Sequence, residues 1–231
     1  MKGNFERPNI RAMKGYVPGE QPSDQSVIKL NTNENPYPPS PIVFQSLAEF
    51  DAATLRRYPS PSAQAFREAA ARHHGINAEE IIATRGGDEL LRLVLTTFVD
   101  PGEKVAVASP AYSLYPVLTA IQDGQLEEIE LNDEWLPDER FAEKANERGC
   151  KVAFIVNPHA PSGTLVSQSL IKAIATTFDG LLVIDEAYVD FVSDATHDLT
   201  QFAVEAPNVL LLRTLSKGYG LAGLRFGYGV G

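Results

Sequence analysis

A lysine behind a serine at the end of an apolar run is a candidate nucleophile. Residues 213–223 read RTLSKGYGLAG directly behind VLLL at 209–212. A lysine amine partly removed from water, with other cations nearby, loses basicity and can attack a carbonyl carbon to form a Schiff base. Lys217 is that amine. Arg225, eight residues later, can clamp a phosphate with its planar guanidinium. Gly218, Gly220 and Gly223 also spell the G-x-G-x-x-G of a dinucleotide fold. That reading needs a helix, a second strand and an acidic residue roughly 20 positions on. Only eight residues follow Gly223 and none is acidic, so the glycines are read as a decoy.

Four further segments carry candidate groups at strand ends. In TRGGDEL, 84–90, Gly86 and Gly87 let the backbone approach an anion, Asp88 is expected to cap a helix, and the first-turn amides form a phosphate cup. An ordinary tight turn is the plainer alternative. In SPAYSLY, 109–115, Tyr112 can stack on a planar ligand or serve as a core tyrosine. In NPHAPSG, 157–163, the Asn157 amide can donate to a ligand oxygen anion or cap a turn. LLVIDEAYVDF, 181–191, sets Asp185 at the end of the most apolar run, with Tyr188 three residues on. The same pattern imitates a magnesium-binding Walker-B strand, but no G-x-x-x-x-G-K-[ST] loop occurs anywhere in the chain. A buried aspartate needs a cationic partner to stay ionised, and a protonated ring nitrogen of a cofactor would provide one.

Residues of this kind must be delivered by strands. Runs at 80–84, 104–109, 126–131, 151–157, 181–186 and 208–214 alternate with helical patterns at 88–99, 111–122 and 167–178. Strands apolar on both faces and joined by crossover helices predict an α/β fold with a mostly parallel sheet sandwiched by helices. Ligands of such sheets bind outside the carboxyl ends of the strands. SAQAFREAAARHHG, 62–75, predicts a helix capped by Ser62 and ended by Gly75. Residues 1–41, rich in proline, read as an extended arm, and 42–231 as the body that holds the site.

The 231 residues are 44% hydrophobic and 22% charged, the balance of a soluble globular protein. A formal net charge of -10 disfavours collecting nucleic acid or anionic lipid. No signal-peptide core or membrane span is expected. The single cysteine, Cys150, fits a reducing cytosol and builds neither a disulfide framework nor a cysteine-rich zinc site, and the four histidines lack ligand spacing.

In order along the chain, the sequence presents a phosphate cup, an aromatic, an Asn-Pro loop, Asp with Tyr, then Ser-Lys and Arg. This order resembles the fold-type I pyridoxal-phosphate-dependent aminotransferases, as do KLNTNENPYPPSP at 29–41, RYPSPSA at 57–63 and IDEAYVDF at 184–191. The resemblance implies a seven-stranded large domain whose last, antiparallel strand is LRFGYGVG, and a cofactor, pyridoxal 5'-phosphate, held covalently by Lys217. It implies Asp185 on the pyridine nitrogen, Tyr188 and Asn157 on the phenolic oxygen, and Tyr112 on the ring face. Gly86, Gly87, Asp88, Thr214, Ser216 and Arg225 would surround the phosphate. Tyr58 would reach the phosphate of a neighbouring subunit, making a homodimer with shared sites, while Tyr16, Asn33 and Asn35 would border the substrate.

The implied reaction is transamination between a small-molecule amino donor and a 2-oxo acid. The likeness is greatest to members that act on histidinol phosphate. A threonine-phosphate decarboxylase, an aromatic amino-acid aminotransferase and a cofactor-binding fragment without turnover are the alternatives. Two departures stand out. The usual N-P-N-N-P-T-G loop is NPHAPSG here, so His159, Ala160 and Ser162 replace its polar members. Family members also continue into a smaller carboxy-terminal domain, expected to be missing from this chain.

Overall fold

The structure, a computed structural model, describes residues 5–231 apart from 18, 25 and 195. Seven strands form one sheet: β1 (Ile81–Thr84), β2 (Lys104–Ser109), β3 (Gln125–Glu130), β4 (Cys150–Val156), β5 (Leu181–Asp185), β6 (Val209–Thr214) and β7 (Gly227–Val230). Their spatial order is β1-β7-β6-β5-β4-β2-β3. β7 is antiparallel to both neighbours, and every other pairing is parallel. The helices are α1 (Pro8–Ala12), α2 (Pro41–Ala48), α3 (Gln64–His74), α4 (Gly87–Phe98), α5 (Leu114–Ile121), α6 (Phe141–Glu147), α7 (Gln168–Thr177) and α8 (Thr200–Glu205).

Side-chain alternation explains why the central strands read as unbroken apolar runs. Val105, Val107, Val152, Phe154, Val156, Val183 and Leu212 pack with α4 and α5 on one face. Ala106, Ala108, Ala153, Ile155, Leu182, Ile184 and Leu211 pack with α3, α6, α7 and α8 on the other. Both faces are therefore dry, as a parallel sheet requires. The helices follow the same logic. α4 turns Leu90, Leu91, Val94 and Leu95 inward, and α7, whose Ser167 Oγ accepts the Leu170 N–H at 3.2 Å, does the same with Ile171, Ile174 and Ala175.

Two expected caps differ. α3 ends at Gly75 as expected (φ 67°), but its N-cap is Ala63 with no side-chain bond, and Ser60 rather than Ser62 supplies the hydroxyl that accepts the Gln64 N–H, at 3.2 Å. A turn closed by Ala63 N–H on Ser60 C=O at 3.1 Å places Ser60 there. Asp88 does not cap α4. The N-cap is Gly86 (φ 99°) without a side-chain bond, while Glu89 accepts the Arg85 N–H at 2.6 Å.

The arm lies on the body. Asn9 Nδ2 donates to Ala120 C=O at 2.9 Å, and Asn35 Nδ2 donates to Lys217 C=O at 3.1 Å and Gly218 C=O at 3.3 Å. The short apolar pattern VIKL at 27–30 forms no strand. None of the described helices is long and apolar enough to cross a membrane.

On the α3 face, His74 Nε2 stands 2.9 Å from the Tyr228 hydroxyl. Burial, with the charges of Arg213 and His73 adding, lowers the imidazole from 6.5 to about 4. The unfolded chain therefore binds the extra proton first as pH falls. Stability contributed by neutral His74 is complete above about pH 6.5 and is lost between there and about pH 4. His74→Gln, which keeps an acceptor for Tyr228, should flatten the acid limb of urea-midpoint measurements over that window. An unchanged limb would show that His74 does not contribute to it.

Candidate active site

The carboxyl ends of β1, β2, β4, β5 and β6 open onto one cavity of about 860 Å³, within the size range of cofactor sites. Four of these strands deliver candidates there. β1 runs into Gly87 and Asp88, β2 into Tyr112, β5 ends on Asp185 with Tyr188 beyond it, and β6 ends on Thr214 ahead of Ser216, Lys217 and Arg225, all lining the cavity. Tyr16 and Asn33 of the arm close another side.

Asp185 is the deepest group. It is 5% exposed, Tyr115 Oη donates to its Oδ2 at 2.7 Å and the Ala187 N–H donates to Oδ1 at 3.1 Å. Burial raises its pKa against those two hydrogen bonds, and no lysine, arginine or histidine forms an ion pair with it among the described residues. A carboxylate so placed is short of one cation.

Lys217 Nζ donates to Thr32 C=O at 2.7 Å and Asn33 C=O at 3.3 Å, and lies 5.8 Å from the centre of the Tyr188 ring. Burial lowers its pKa, and Arg225 adds to the effect while Asp88, Glu34 and Asp185 oppose it. The shift favours the neutral amine that attacks carbonyls. Asn33 Nδ2 donates to Tyr188 Oη at 2.8 Å, which leaves that hydroxyl's proton available.

Around the α4 amino end Gly86 is fixed by its φ of 99° and Gly227 by close backbone approach. A Cβ on Gly86 would stand 2.7 Å from Arg225 Nη2, one on Gly87 3.0 Å from Leu212, and one on Gly227 2.7 Å from the Gly86 backbone. Arg225 itself adopts φ 52°, a left-handed conformation that costs a non-glycine residue, and its guanidinium sits 3.6 Å from Asp88. Thr214 Oγ1 donates to Ser216 Oγ at 3.0 Å and accepts the Ser216 N–H at 3.1 Å, so both hydroxyls are fixed beside the helix end. Uncapped amides, two hydroxyls and a guanidinium form a donor set suited to a phosphate dianion.

Four predicted residues lie off the cavity wall. Gly86 sits just behind it, and Asn35 pins the backbone of Lys217. Asn157 is fully buried, its Oδ1 accepting the Val166 N–H at 2.8 Å and its Nδ2 facing His197 Nε2 at 3.2 Å. Tyr58 is 101% exposed and touches nothing of its own site. Sequence reading missed Tyr115, the hydroxyl on Asp185, although its place three residues after Tyr112 on a helix was a usable signal. It also missed the ion pair behind Asp185, where Arg213 Nε meets Glu186 Oε2 at 2.7 Å.

This sheet, with a lysine, a buried carboxylate and uncapped helix amides at its strand ends, defines an α/β protein whose cavity could take a planar, phosphorylated carbonyl compound. The chain belongs to the family described as aminotransferase class I and II, whose profile matches residues 25–231. It is 46% identical over 230 residues to histidinol-phosphate aminotransferase 1 of Trichormus variabilis, covering 99% of this chain and 64% of that protein. It is 43% identical to the histidinol-phosphate aminotransferase of Rhodopirellula baltica, covering 96% of this chain and 60% of that one. The chain thus spans 60 to 64% of the length of these relatives. Among solved structures it resembles a histidinol-phosphate aminotransferase from Sinorhizobium meliloti in complex with pyridoxal-5'-phosphate, with TM-score 0.81 and 27% identity over 86% of this chain and 55% of that one. A Thermus thermophilus aspartate aminotransferase variant shares the fold at TM-score 0.80 and 24% identity, covering 100% of this chain and 63% of that one.

Proposed function

We propose that this chain supplies the cofactor site of a pyridoxal-phosphate-dependent aminotransferase that exchanges amino and keto groups between histidinol phosphate and 2-oxoglutarate. The observation that carries the cofactor is Asp185, buried without a cationic partner in the cavity that Lys217 enters. A protonated pyridine nitrogen is the cation it lacks. The substrate half rests on relatives of 40 to 46% identity that carry the name.

Bound pyridoxal phosphate supplies an electron sink for the substrate's α-carbon. The protein does the rest. Lys217 would hold the aldehyde and move the proton at the substrate's α-carbon. Asp185, held by Tyr115, would keep the ring nitrogen protonated. Tyr188 and Asn157 would donate to the phenolic oxygen, Asn157 once its amide turns from His197. The Gly86, Gly87 and Asp88 amides, Thr214, Ser216 and Arg225 hold the phosphate. Tyr112 covers the ring face. Tyr16 and Asn33 border the substrate, Asn35 acts behind them on the Lys217 backbone, and the arm of residues 1–41 is a unit distinct from the body of 42–231.

The active form is a homodimer in which Tyr58 reaches the partner's phosphate. Its support is the segment 42–58, where Ile42, Phe44, Leu47, Phe50, Leu55 and Tyr58 are each exposed. A cytosolic location fits the single, free Cys150. The full-length gene product, given histidinol phosphate and 2-oxoglutarate, should form glutamate faster than with an aromatic amino acid as donor. Decarboxylation of threonine phosphate without glutamate, or preference for the aromatic donor, would refute the substrate assignment.

A further inference from the structure

The loop that departs from the family pattern contains a buried histidine, and its contacts reach across to a different strand end. His159 is 4% exposed and does not line the cavity. Its Nε2 lies 2.8 Å from Pro110 C=O and its Nδ1 lies 2.8 Å from Ser162 Oγ. A carbonyl only accepts, so Nε2 carries the proton. Nδ1 faces the Ser162 hydroxyl, which accepts the Thr164 N–H at 3.2 Å and lies 3.1 Å from Thr164 Oγ1. The His159 N–H donates to Thr164 C=O at 2.8 Å and the Gly163 N–H to His159 C=O at 2.7 Å, which fixes the ring's own backbone. Trp135 covers the ring's outer face at 5.6 Å.

The two loops joined by this ring form neighbouring walls of the cavity. Ala160 and Pro161 line it from the His159 loop, and Ala111 and Tyr112 line it from the Pro110 loop. Without His159 the loop after β2 loses its buried bond to the loop after β4, at a point two residues from Tyr112. Tyr112 is otherwise held by its C=O, which accepts the Tyr115 N–H at 3.2 Å, and by a hydrogen bond with Tyr16 of the arm. The Tyr112 hydroxyl reaches Asp88 Oδ1 only at 3.4 Å, and its ring meets Tyr115 edge-on at 5.8 Å.

We propose that His159 is a positioning residue that sets the ring plane of Tyr112 by tying Pro110 C=O to the loop after β4. The consequence for the cofactor rests on the function proposed above; the position of Tyr112 does not. In the full-length protein, His159→Leu removes both bonds at similar volume, and His159→Gln keeps an amide donor that can reach Pro110 C=O. Loss of one buried hydrogen bond predicts about a tenfold rise in the dissociation constant for pyridoxal phosphate in the Leu variant, with the Gln variant within about threefold of the parent. Transamination at saturating cofactor should fall less than affinity does, a split that general loss of folded protein would not give.

Crystal structures of parent and Leu variant, both without cofactor, separate the two layers of the claim. A Tyr112 ring displaced from Asp88 and Tyr115 in the Leu variant supports the inference even if the parent binds no pyridoxal phosphate, a result that would reject the proposed function alone. An unmoved Tyr112 overturns the inference, as does equal loss of affinity in the Gln and Leu variants.

Discussion

Lys217→Ala is expected to remove the covalent attachment of pyridoxal phosphate and to slow transamination by at least about 10⁴-fold, the loss of a nucleophile and a general base together. About 5.5 kcal/mol of barrier is at stake. The effect is large because, among the described residues, no second lysine lines the cavity. The nearby Arg225 sits on Asp88 and is a guanidinium rather than a nucleophile. Alanine also frees Thr32 C=O and Asn33 C=O, which water can satisfy because both residues belong to the exposed arm. The fold should therefore survive, as far-UV circular dichroism would show. Borohydride reduction followed by peptide mass mapping should find the adduct on 217 in the parent and none in the variant. An adduct on another lysine, with activity retained, would remove Lys217 from its role.

Arg213→Met should cost about 3–5 kcal/mol of stability, read from urea unfolding at pH 7. The reason lies on the face of the sheet opposite the cofactor site. β5 and β6 are parallel, so Asp185 and Thr214 point toward α5 while their chain neighbours Glu186 and Arg213 point the other way. There Arg213 Nε meets Glu186 Oε2 at 2.7 Å, with Thr200 Oγ1 at 3.4 Å and Asp198 at 3.9 Å. Glu186 is fully buried, and its second oxygen, Oε1, has no partner. Burial pushes the Glu186 carboxyl up to about 7 in spite of the guanidinium beside it. Removing Arg213 leaves an acid that must ionise unpaired or take a proton. Glu186→Leu with Arg213→Met should recover most of the loss, because a buried pair replaced as a whole is often neutral. A single-variant cost under about 1 kcal/mol would mean that the pair does not hold the two strand ends together.

The sheet was legible because its chemistry is local. Six strands and the three helical patterns between them stand within a few residues of where alternating apolar runs place them, and LRFGYGVG does close the sheet as an antiparallel strand. The dinucleotide reading fails as expected, since a short helical turn at Ala222–Leu224 and β7 follow the glycines. Gly218 has its own reason, a Cβ there standing 2.4 Å from Asp190. Caps were less legible, because Ser60 and Ser62 are chemically equal until the turn at Ala63 chooses between them.

The cavity residues were legible as types at strand ends, and eleven of the fifteen predicted line one cavity. What could not be read were partnerships across the chain. Tyr115 and Asp185 are 70 residues apart, His159 and Pro110 49, and Asn33 and Tyr188 155. No spacing rule links such pairs, and only the register of the sheet brings them together. His159 was visible as a departure, but its bond to Pro110 was not. Tyr58 was readable only through the RYPSPSA motif, since the phosphate proposed for it belongs to another copy of the chain.

The claim on which the rest depends is that Lys217 and Asp185 hold the two ends of one pyridine ring. A crystal of the protein soaked with pyridoxal phosphate measures this directly. The account predicts continuous density from Lys217 Nζ to the carbaldehyde carbon, and the ring nitrogen within hydrogen-bonding distance of the Asp185 carboxylate. A ring bound elsewhere, or bound in the cavity with its nitrogen turned away from Asp185, would contradict it.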